Sequence, residues 1–269
     1  MLHIHYQWQG KEDGPVLVLI NGLLTDLSSW NGHLAAYTDN FRVLTYDCRG
    51  QGQSDKPEAG PYRPEDHAED LKHLLNSLNI QSAALLGVSN GACIALQFAV
   101  RWPERVTALV LANGYGQADT ALKVKLNSWL AGMNAGGGPL RFDISSPWIW
   151  GATFLNKNFE ALKPFREKGS TLPVYAVRNL IAGGMEHDVL EQAATITCPT
   201  LLMTGDEDVL TPLSYSHALQ RRIAGSQIVM LREAGHCMFL EQPAAFTRAA
   251  AAFLVRNLLA TGERPWESL

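Results

Sequence analysis

The chain has 269 residues, 46% of them hydrophobic and 18% charged, with a formal net charge of −4, which suits one large soluble domain or one domain carrying an insertion. A net negative chain with no basic stripe is not built for nucleic acid, and no apolar run approaches the ~18 residues that cross a membrane. The start, MLHIHYQWQGKEDG, lacks the basic head and apolar block of a secretory leader.

In chain order, His3 and His5 are expected two apart on one face of a first strand, with no further ligands in sight to make a metal site. VLVLI (16–20) and FRVLTY (41–46) then read as short, continuously apolar strands, buried on both faces of a parallel sheet. PEDHAEDLKHLLNSL (64–78) reads as a helix: proline in the first turn, acids near the N-terminus, and leucines at 71, 74, 75 and 78 along one face. AALL (83–86) is the next strand, 90–101 a helix, and VTALVLA (106–112) a fifth strand.

From 114 to 194 the rhythm breaks. This stretch holds NAGGGP, the aromatic run SSPWIWGATF, and helix-like pieces at 121–130 and 173–181. It reads as a helical cap inserted into a core made of 1–113 and 195–269, and its glycine-rich pieces suit either a moving lid or a fixed subdomain. After it come a strand TLLMT (200–204), a helix over 212–222, a strand QIVML (227–231) and a helix over 242–259. Strands alternating with helices imply right-handed crossovers and a sheet covered on both sides, the α/β class. The four cysteines, Cys48, Cys93, Cys198 and Cys237, are scattered without a C-x-x-C pair, so they read as reduced thiols of a cytoplasmic protein rather than as a disulfide frame or zinc site.

Ser89 stands between Gly87 and Gly91, where a strand ends and a helix begins. In a chain with 23 glycines a G-x-S-x-G match is modest evidence by itself. The strand before it and the helix after it make it a nucleophile elbow, with the hydroxyl raised above the C-terminal edge of the sheet and the helix N-terminus behind it to hold an oxyanion. Such a serine needs a base, and the base needs an acid, in the order Ser, Asp or Glu, His. Downstream, Asp206, Glu207 and Asp208 follow one strand and Gly235-His236 follows the next, each at the edge where Ser89 should stand. His236 is favoured as base; His217 falls inside a helix, and His33, His67, His73 and His187 are expected to face solvent. Asp208 is favoured as acid over Asp206, which is expected to bond loop backbone, with Asp188 a remote third choice.

These residues resemble the α/β-hydrolase superfamily over nearly the whole chain. NGLLTD stands where that superfamily usually has His-Gly; YDCRGQGQSD, WPERV, Gly205 to Asp208 with Pro212, and Gly235-His236 with Glu241 and Pro243 match its further motifs in order. The segment around NGLLTD and Trp30 is similar to 3-oxoadipate enol-lactonases, which share Asn in place of His; an Asn-Gly start also resembles acyltransferases that move acyl chains between carrier protein and coenzyme A. The resemblance implies a serine esterase or lactonase working without cofactor or metal, with Ser89, Asp208 and His236 as triad and the backbone N–H groups of Leu23 and Asn90 as oxyanion hole. Asn21, Trp148 and Trp150 are substrate-binding candidates, and Trp129 and Phe154 further candidates for an apolar wall. An anionic substrate would require a cap cation, for which Arg141, Arg166 and Arg178 are available. The expected partner is a small-molecule substrate, on a monomer or homodimer. Acyl transfer, thioester cleavage and carbon–carbon bond hydrolysis use the same three side chains, and a ligand-binding protein without turnover is the alternative from outside enzymology.

Overall fold

A computed structural model describes residues 2–168 and 172–259. The ends of the expected core segments, at residue 1 and 260–269, and residues 169–171 of the expected cap lie outside the described residues. Seven strands form one sheet: β1 (Tyr6–Gly10), β2 (Val16–Ile20), β3 (Arg42–Tyr46), β4 (Ala83–Val88), β5 (Val106–Ala112), β6 (Thr200–Gly205) and β7 (Gln227–Leu231). Their order is β1-β3-β2-β4-β5-β6-β7. β1 pairs antiparallel with β3, and every other pair is parallel.

β1 is shorter than expected. His3 and His5 precede it because their backbone groups are committed elsewhere: Asp47 N–H donates to the His5 carbonyl and Asp55 N–H to that of His3. His5 N–H in turn donates to Ser54 Oγ.

Helices cover both faces. Alternate residues of β2 enter opposite cores: Val18 and Ile20 join one and Leu17 and Leu19 the other, the period-2 consequence of a strand buried on both sides. The first core is closed by α1 (Pro64–Ser77) through Leu71 and Leu75, and by α2 (Asn90–Arg101) through Ile94 and Phe98. The second is closed by the last helix (Pro243–Leu258) through Phe246, Phe253 and Leu254.

Between β5 and β6 the chain is helical, in α3 (Thr120–Ile149), α4 (Ala152–Asn158) and, after further short turns, a helix over Val174–Gly184. α3 is not one rod. Gly136 and Gly137 leave helical geometry, Gly137 at φ 67°, a backbone region glycine enters without penalty. A Cβ on Gly132 would sit 3.2 Å from the Arg141 Cα. Nine residues of straight helix would separate the two by about 13 Å, so the chain folds back on itself. NAGGGP is therefore the bend of a helical hairpin.

Three of the four histidines expected at the surface are buried. His33 packs among Trp30, Phe239 and Phe246, His67 edge-on to Tyr62, and His187 edge-on to Tyr115. His67 lies on the face of α1 turned to Tyr62, and His33 and His187 lie in connecting segments covered by other elements, which hydrophobic periodicity does not register. His73 and His217 are exposed.

Candidate active site

β4 ends at Val88, and Ser89 caps α2 with φ 55° and ψ −121°. That conformation is strained for a residue with a side chain, and neighbouring contacts hold it. Ser89 N–H donates to the Ala112 carbonyl at 2.8 Å, and the Ser89 carbonyl accepts from the N–H groups of Ala92 and Cys93. The two glycines are there for space. A Cβ on Gly87 would lie 2.2 Å from the Gly91 carbonyl oxygen, and one on Gly91 would lie 2.2 Å from the Ile20 carbonyl oxygen, so the turn closes only with bare backbone at both positions.

His236 reaches the same point from the loop after β7. Its Nε2 lies 2.8 Å from Ser89 Oγ and its Nδ1 lies 2.9 Å from Asp208 Oδ2. With the proton on Nδ1 directed at the carboxylate, Nε2 is the acceptor for the serine hydroxyl. Asp208 stands in the loop after β6, buried, and four donors meet it: Leu210 N–H and Thr211 N–H at Oδ1, Thr211 Oγ and His236 Nδ1 at Oδ2. Burial pushes the Asp208 carboxyl up, but the neighbouring His236 and the Thr211 hydrogen bonds outweigh it, so its pKa lies below the ordinary carboxylate value. The ion stays ionised in a buried position because its lone pairs are taken. Asp206 is exposed and accepts from Ala234 N–H. Asp188 is exposed on the far side of the β5 loop, bonded by Gln117.

Two further residues hold the histidine loop: Asn113, to which no motif pointed, and Glu241, which stood in the Gly-His motif without an assigned role. Asn113, just past β5, adopts φ 51° and donates from Nδ2 to the His236 carbonyl at 2.6 Å and the Gly235 carbonyl at 3.3 Å. The Asn-Gly pair after an apolar run is a turn signal, but nothing in it names the loop it holds. Glu241 accepts from Gly235 N–H at 2.8 Å and from Gly151 N–H at 3.1 Å, tying the histidine loop to the junction of α3 and α4. Burial is the leading influence on its carboxyl and raises it above the usual value.

Asn21 is fully buried and does not line the cavity. Its Nδ2 donates to the Thr25 carbonyl at 3.0 Å, and Cys48 Sγ donates to its Oδ1 at 3.6 Å. It fixes the loop that carries Gly22, Leu23 and Leu24, where Leu24 is held at φ 63°. Leu23 and Asn90 both border the cavity beside Ser89. As first residue of α2, Asn90 has an N–H with no acceptor in a preceding turn.

The cavity above Ser89 has a volume of about 90 Å³. Its floor includes Ser89 and His236, and the helical hairpin roofs it with Leu122, Leu126, Trp129, Arg141 and Ile149. Trp148 and Trp150 do not line it. Lys125 Nζ sits over the Trp148 ring, while Trp150 stacks on Phe154 at 5.2 Å and packs edge-on to Phe165. Trp148 packs with the cluster of Leu122, Leu126 and Leu210, and Trp150 with Phe142 and Leu162 against Cys237 and Leu240. Among the described residues no group of three or more His, Cys, Asp or Glu side chains could hold a metal ion, and no helix is long and apolar enough to cross a membrane.

A sheet of this order with serine, acid and histidine past the C-terminal ends of β4, β6 and β7 defines the α/β-hydrolase class. The chain belongs to the α/β-hydrolase fold family, whose pattern it matches over residues 15–243. It is similar to 3-oxoadipate enol-lactonase 2 of Acinetobacter baylyi, with 29% identity over 94% of this chain and 93% of that one. A protein of Caulobacter sp. (strain K31), whose name proposes a carbamate hydrolase, RutD, is 28% identical over 90% of this chain and 91% of its own. The crystal structure of the enol-lactonase from Burkholderia xenovorans LB400 superposes with a TM-score of 0.87 at 28% identity, covering 94% of this chain and 97% of that one.

Proposed function

We propose that this chain is a serine hydrolase that opens a small carboxylic ester or lactone through an acyl-enzyme. The observation that carries the reading is the unbroken contact from Ser89 Oγ through His236 to Asp208, at 2.8 and 2.9 Å. Ser89 attacks the carbonyl carbon as His236 Nε2 takes its proton, and the negative charge moves to the carbonyl oxygen. The N–H groups of Asn90 and Leu23 receive that oxyanion; donors of this kind typically lower a barrier by ~3–4 kcal/mol each. His236 then protonates the leaving oxygen, and the C–O bond breaks. A water enters, gives its proton to His236 and attacks the acyl carbon, which releases the acid and restores Ser89. Asp208 orients the imidazole and stabilises its charged form.

The relatives' names, enol-lactonase and carbamate hydrolase, support a carbonyl substrate and disagree about its leaving group. A cavity of about 90 Å³ supports a short acyl group over a long carrier-borne chain. We place the segment between β5 and β6 as a cap over the site, and the chain in the cytoplasm on the strength of four free thiols. The test is hydrolysis of p-nitrophenyl acetate and butyrate by wild type and Ser89→Ala, with fluorophosphonate labelling in parallel. Activity and label should both disappear in the variant; undiminished turnover by Ser89→Ala would remove the serine from the chemistry.

A further inference from the structure

Thr211 follows Asp208 in the same loop and is 2% exposed. Its backbone N–H donates to Asp208 Oδ1 at 2.9 Å, and Pro212 comes next, so its backbone has little freedom. Branching at Cβ stiffens its side chain as well. The hydroxyl oxygen is thereby held where three groups converge: Asp208 Oδ2 at 2.9 Å, His236 Nδ1 at 3.1 Å and the Asn113 carbonyl oxygen at 3.2 Å. A hydroxyl has one proton to give and two lone pairs to offer. Two of the three neighbours, the Asp208 carboxylate and the Asn113 carbonyl, can only accept. The third, Nδ1, carries a proton whenever Nε2 is free to receive that of Ser89.

The carboxylate is the stronger acceptor, so with Asp208 in place the Thr211 proton goes to Oδ2. The Nδ1–H then meets two oxygens, Oδ2 at 2.9 Å and Thr211 Oγ at 3.1 Å. Losing the first does not remove the second. Without the carboxylate, the Thr211 proton turns to the Asn113 carbonyl, and a lone pair of the same oxygen still faces Nδ1–H. The Asn113 side chain also holds the His236 carbonyl at 2.6 Å, so this acceptor and the imidazole are fixed to each other. Asp208→Asn acts differently. The N–H groups of Leu210 and Thr211 at Oδ1 select the amide oxygen for that position. The NH2 group then lies where Oδ2 was and donates to Nδ1, which imposes the tautomer that has no lone pair for Ser89.

We propose that Thr211 is a positioning residue for the base: its hydroxyl oxygen is a second acceptor for His236 Nδ1–H and keeps the productive tautomer when the Asp208 carboxylate is gone. Its effect on turnover rests on the hydrolase reading above; the position of the ring proton does not. Asp208→Ala, which removes an acceptor and adds no donor, is therefore the milder lesion, although Asp208→Asn preserves the shape. In the Asp208→Ala background Thr211 has no carboxylate to donate to, so whatever its hydroxyl contributes there comes from accepting the imidazole proton.

The test compares wild type, Asp208→Ala, Asp208→Asn and Thr211→Val with the pairs Asp208→Ala/Thr211→Val and Asp208→Ala/Thr211→Ser. Turnover of p-nitrophenyl acetate is measured for each, and nitrogen NMR of the labelled His236 ring shows which nitrogen carries the proton. Asp208→Ala should exceed Asp208→Asn in kcat by at least about tenfold. Thr211→Val alone should lower kcat by about two- to tenfold with KM little changed, and by at least about tenfold in the Asp208→Ala background, where Thr211→Ser should retain most of the rate. Thr211→Ala repeats the measurement should the valine variant fold poorly. The ring proton should sit on Nδ1 in Asp208→Ala and in Asp208→Ala/Thr211→Ser, on Nε2 in Asp208→Asn, and should leave Nδ1 in Asp208→Ala/Thr211→Val. Equal kcat for Asp208→Ala with and without the Thr211 hydroxyl, or an Nε2 proton in Asp208→Ala, overturns the assignment. If wild type cleaves no ester yet the ring proton follows this pattern, the role of Thr211 stands and the hydrolase reading falls.

Discussion

Lowering the pH from 7.5 to 4.5 should remove a large part of the folded state's stability, and His67→Gln should restore a definite share of it. His67 is buried with no hydrogen-bond partner on either ring nitrogen. Burial first, and the neighbouring Arg49 second, hold its pKa at about 3. His187 is buried beside Tyr115, and burial holds its pKa at about 4 against the opposing pull of a backbone bond and Asp188. In the unfolded chain both titrate near 6.5. Between the folded and unfolded values the unfolded chain binds a proton that the folded one refuses. Stability from each is therefore full above about pH 6.5 and lost as pH falls toward the folded value. At pH 4.5, about two units below the unfolded pKa, each histidine costs roughly 2–3 kcal/mol, and the pair roughly 5, against a typical domain total of about 5–15. His33, lowered by burial, adds in the same direction. Asp208 is lowered, so its contribution survives until the pH drops below the ordinary carboxylate range, outside this window. Glu241 is raised, has the opposite sign, and offsets part of the loss near the acid end. These other contributions cancel when wild type and His67→Gln are compared at both pH values by urea unfolding at constant m. The acid-induced loss should shrink by roughly 2–3 kcal/mol in the variant. An identical loss in both proteins, or an NMR titration of His67 near 6.5, would refute the reasoning.

Asp208→Asn should leave the fold intact and cut kcat by about 10⁴, because the histidine loses the acceptor that fixes its tautomer; Asp206→Asn should do almost nothing, and the reverse result in steady-state kinetics would move the acid. Asn113→Leu strips the His236 and Gly235 carbonyls of their donor, so kcat should fall roughly ten- to a hundredfold with KM little changed, together with about 1–3 kcal/mol of stability. Gly91→Ala places a methyl against the Ile20 carbonyl oxygen and should destabilise by roughly 3–5 kcal/mol, read as lost soluble yield or a much lower melting temperature. Glu241→Ala should free the histidine loop from the insertion and lower kcat, whereas Glu241→Gln keeps an acceptor for Gly235 and Gly151 and should be closer to wild type.

The strands were legible because a strand buried on both faces must be apolar throughout. VLVLI and VTALVLA begin and end where β2 and β5 do; QIVML also matches β7, although that edge strand buries only Leu231. The elbow was legible because steric need restricts Gly87 and Gly91 to one residue type each, and the loops bearing Asp208 and His236 because each follows a strand directly. The hairpin was not. Three glycines followed by proline read as loop, yet two of them bend the chain between two helical limbs and the proline opens the second, where its missing N–H costs nothing. Three buried histidines also escaped, since burial of a polar ring depends on what a second layer brings over it. Arg141, Arg166 and Arg178 were equivalent in the sequence. Only the fold-back at Gly136 and Gly137 decides that Arg141 turns inward, while Arg166 pairs with Asp143 and Arg178 is exposed.

That asymmetry follows from how each part is held. Ser89, Asp208 and His236 hang from strand ends, and their loops are tied by backbone hydrogen bonds: Ser89 to Ala112, Asp206 to Leu231, Glu207 to Ala234. Substitutions elsewhere on the surface leave those bonds in place, so the placement of these three side chains is set by the sheet. Backbone N–H bonds fasten the insertion to these loops as well. Cys237 N–H donates to the Ile149 carbonyl, Glu241 accepts from Gly151, and Glu207 accepts from Thr153 N–H at 2.8 Å. Two of these three are carboxylates of the core receiving N–H groups at the start of α4, a helix N-terminus where negative charge is favoured. The roof is thus docked at its α4 end, and its hairpin is held too, by Lys125 Nζ donating to the Val209 and Leu210 carbonyls and by the Tyr215 hydroxyl donating to Asp119. Leu122, Leu126, Trp129 and Arg141, which the hairpin turns to the cavity, are therefore the positions where a substitution changes the cavity's lining without touching the loops of Ser89, Asp208 and His236.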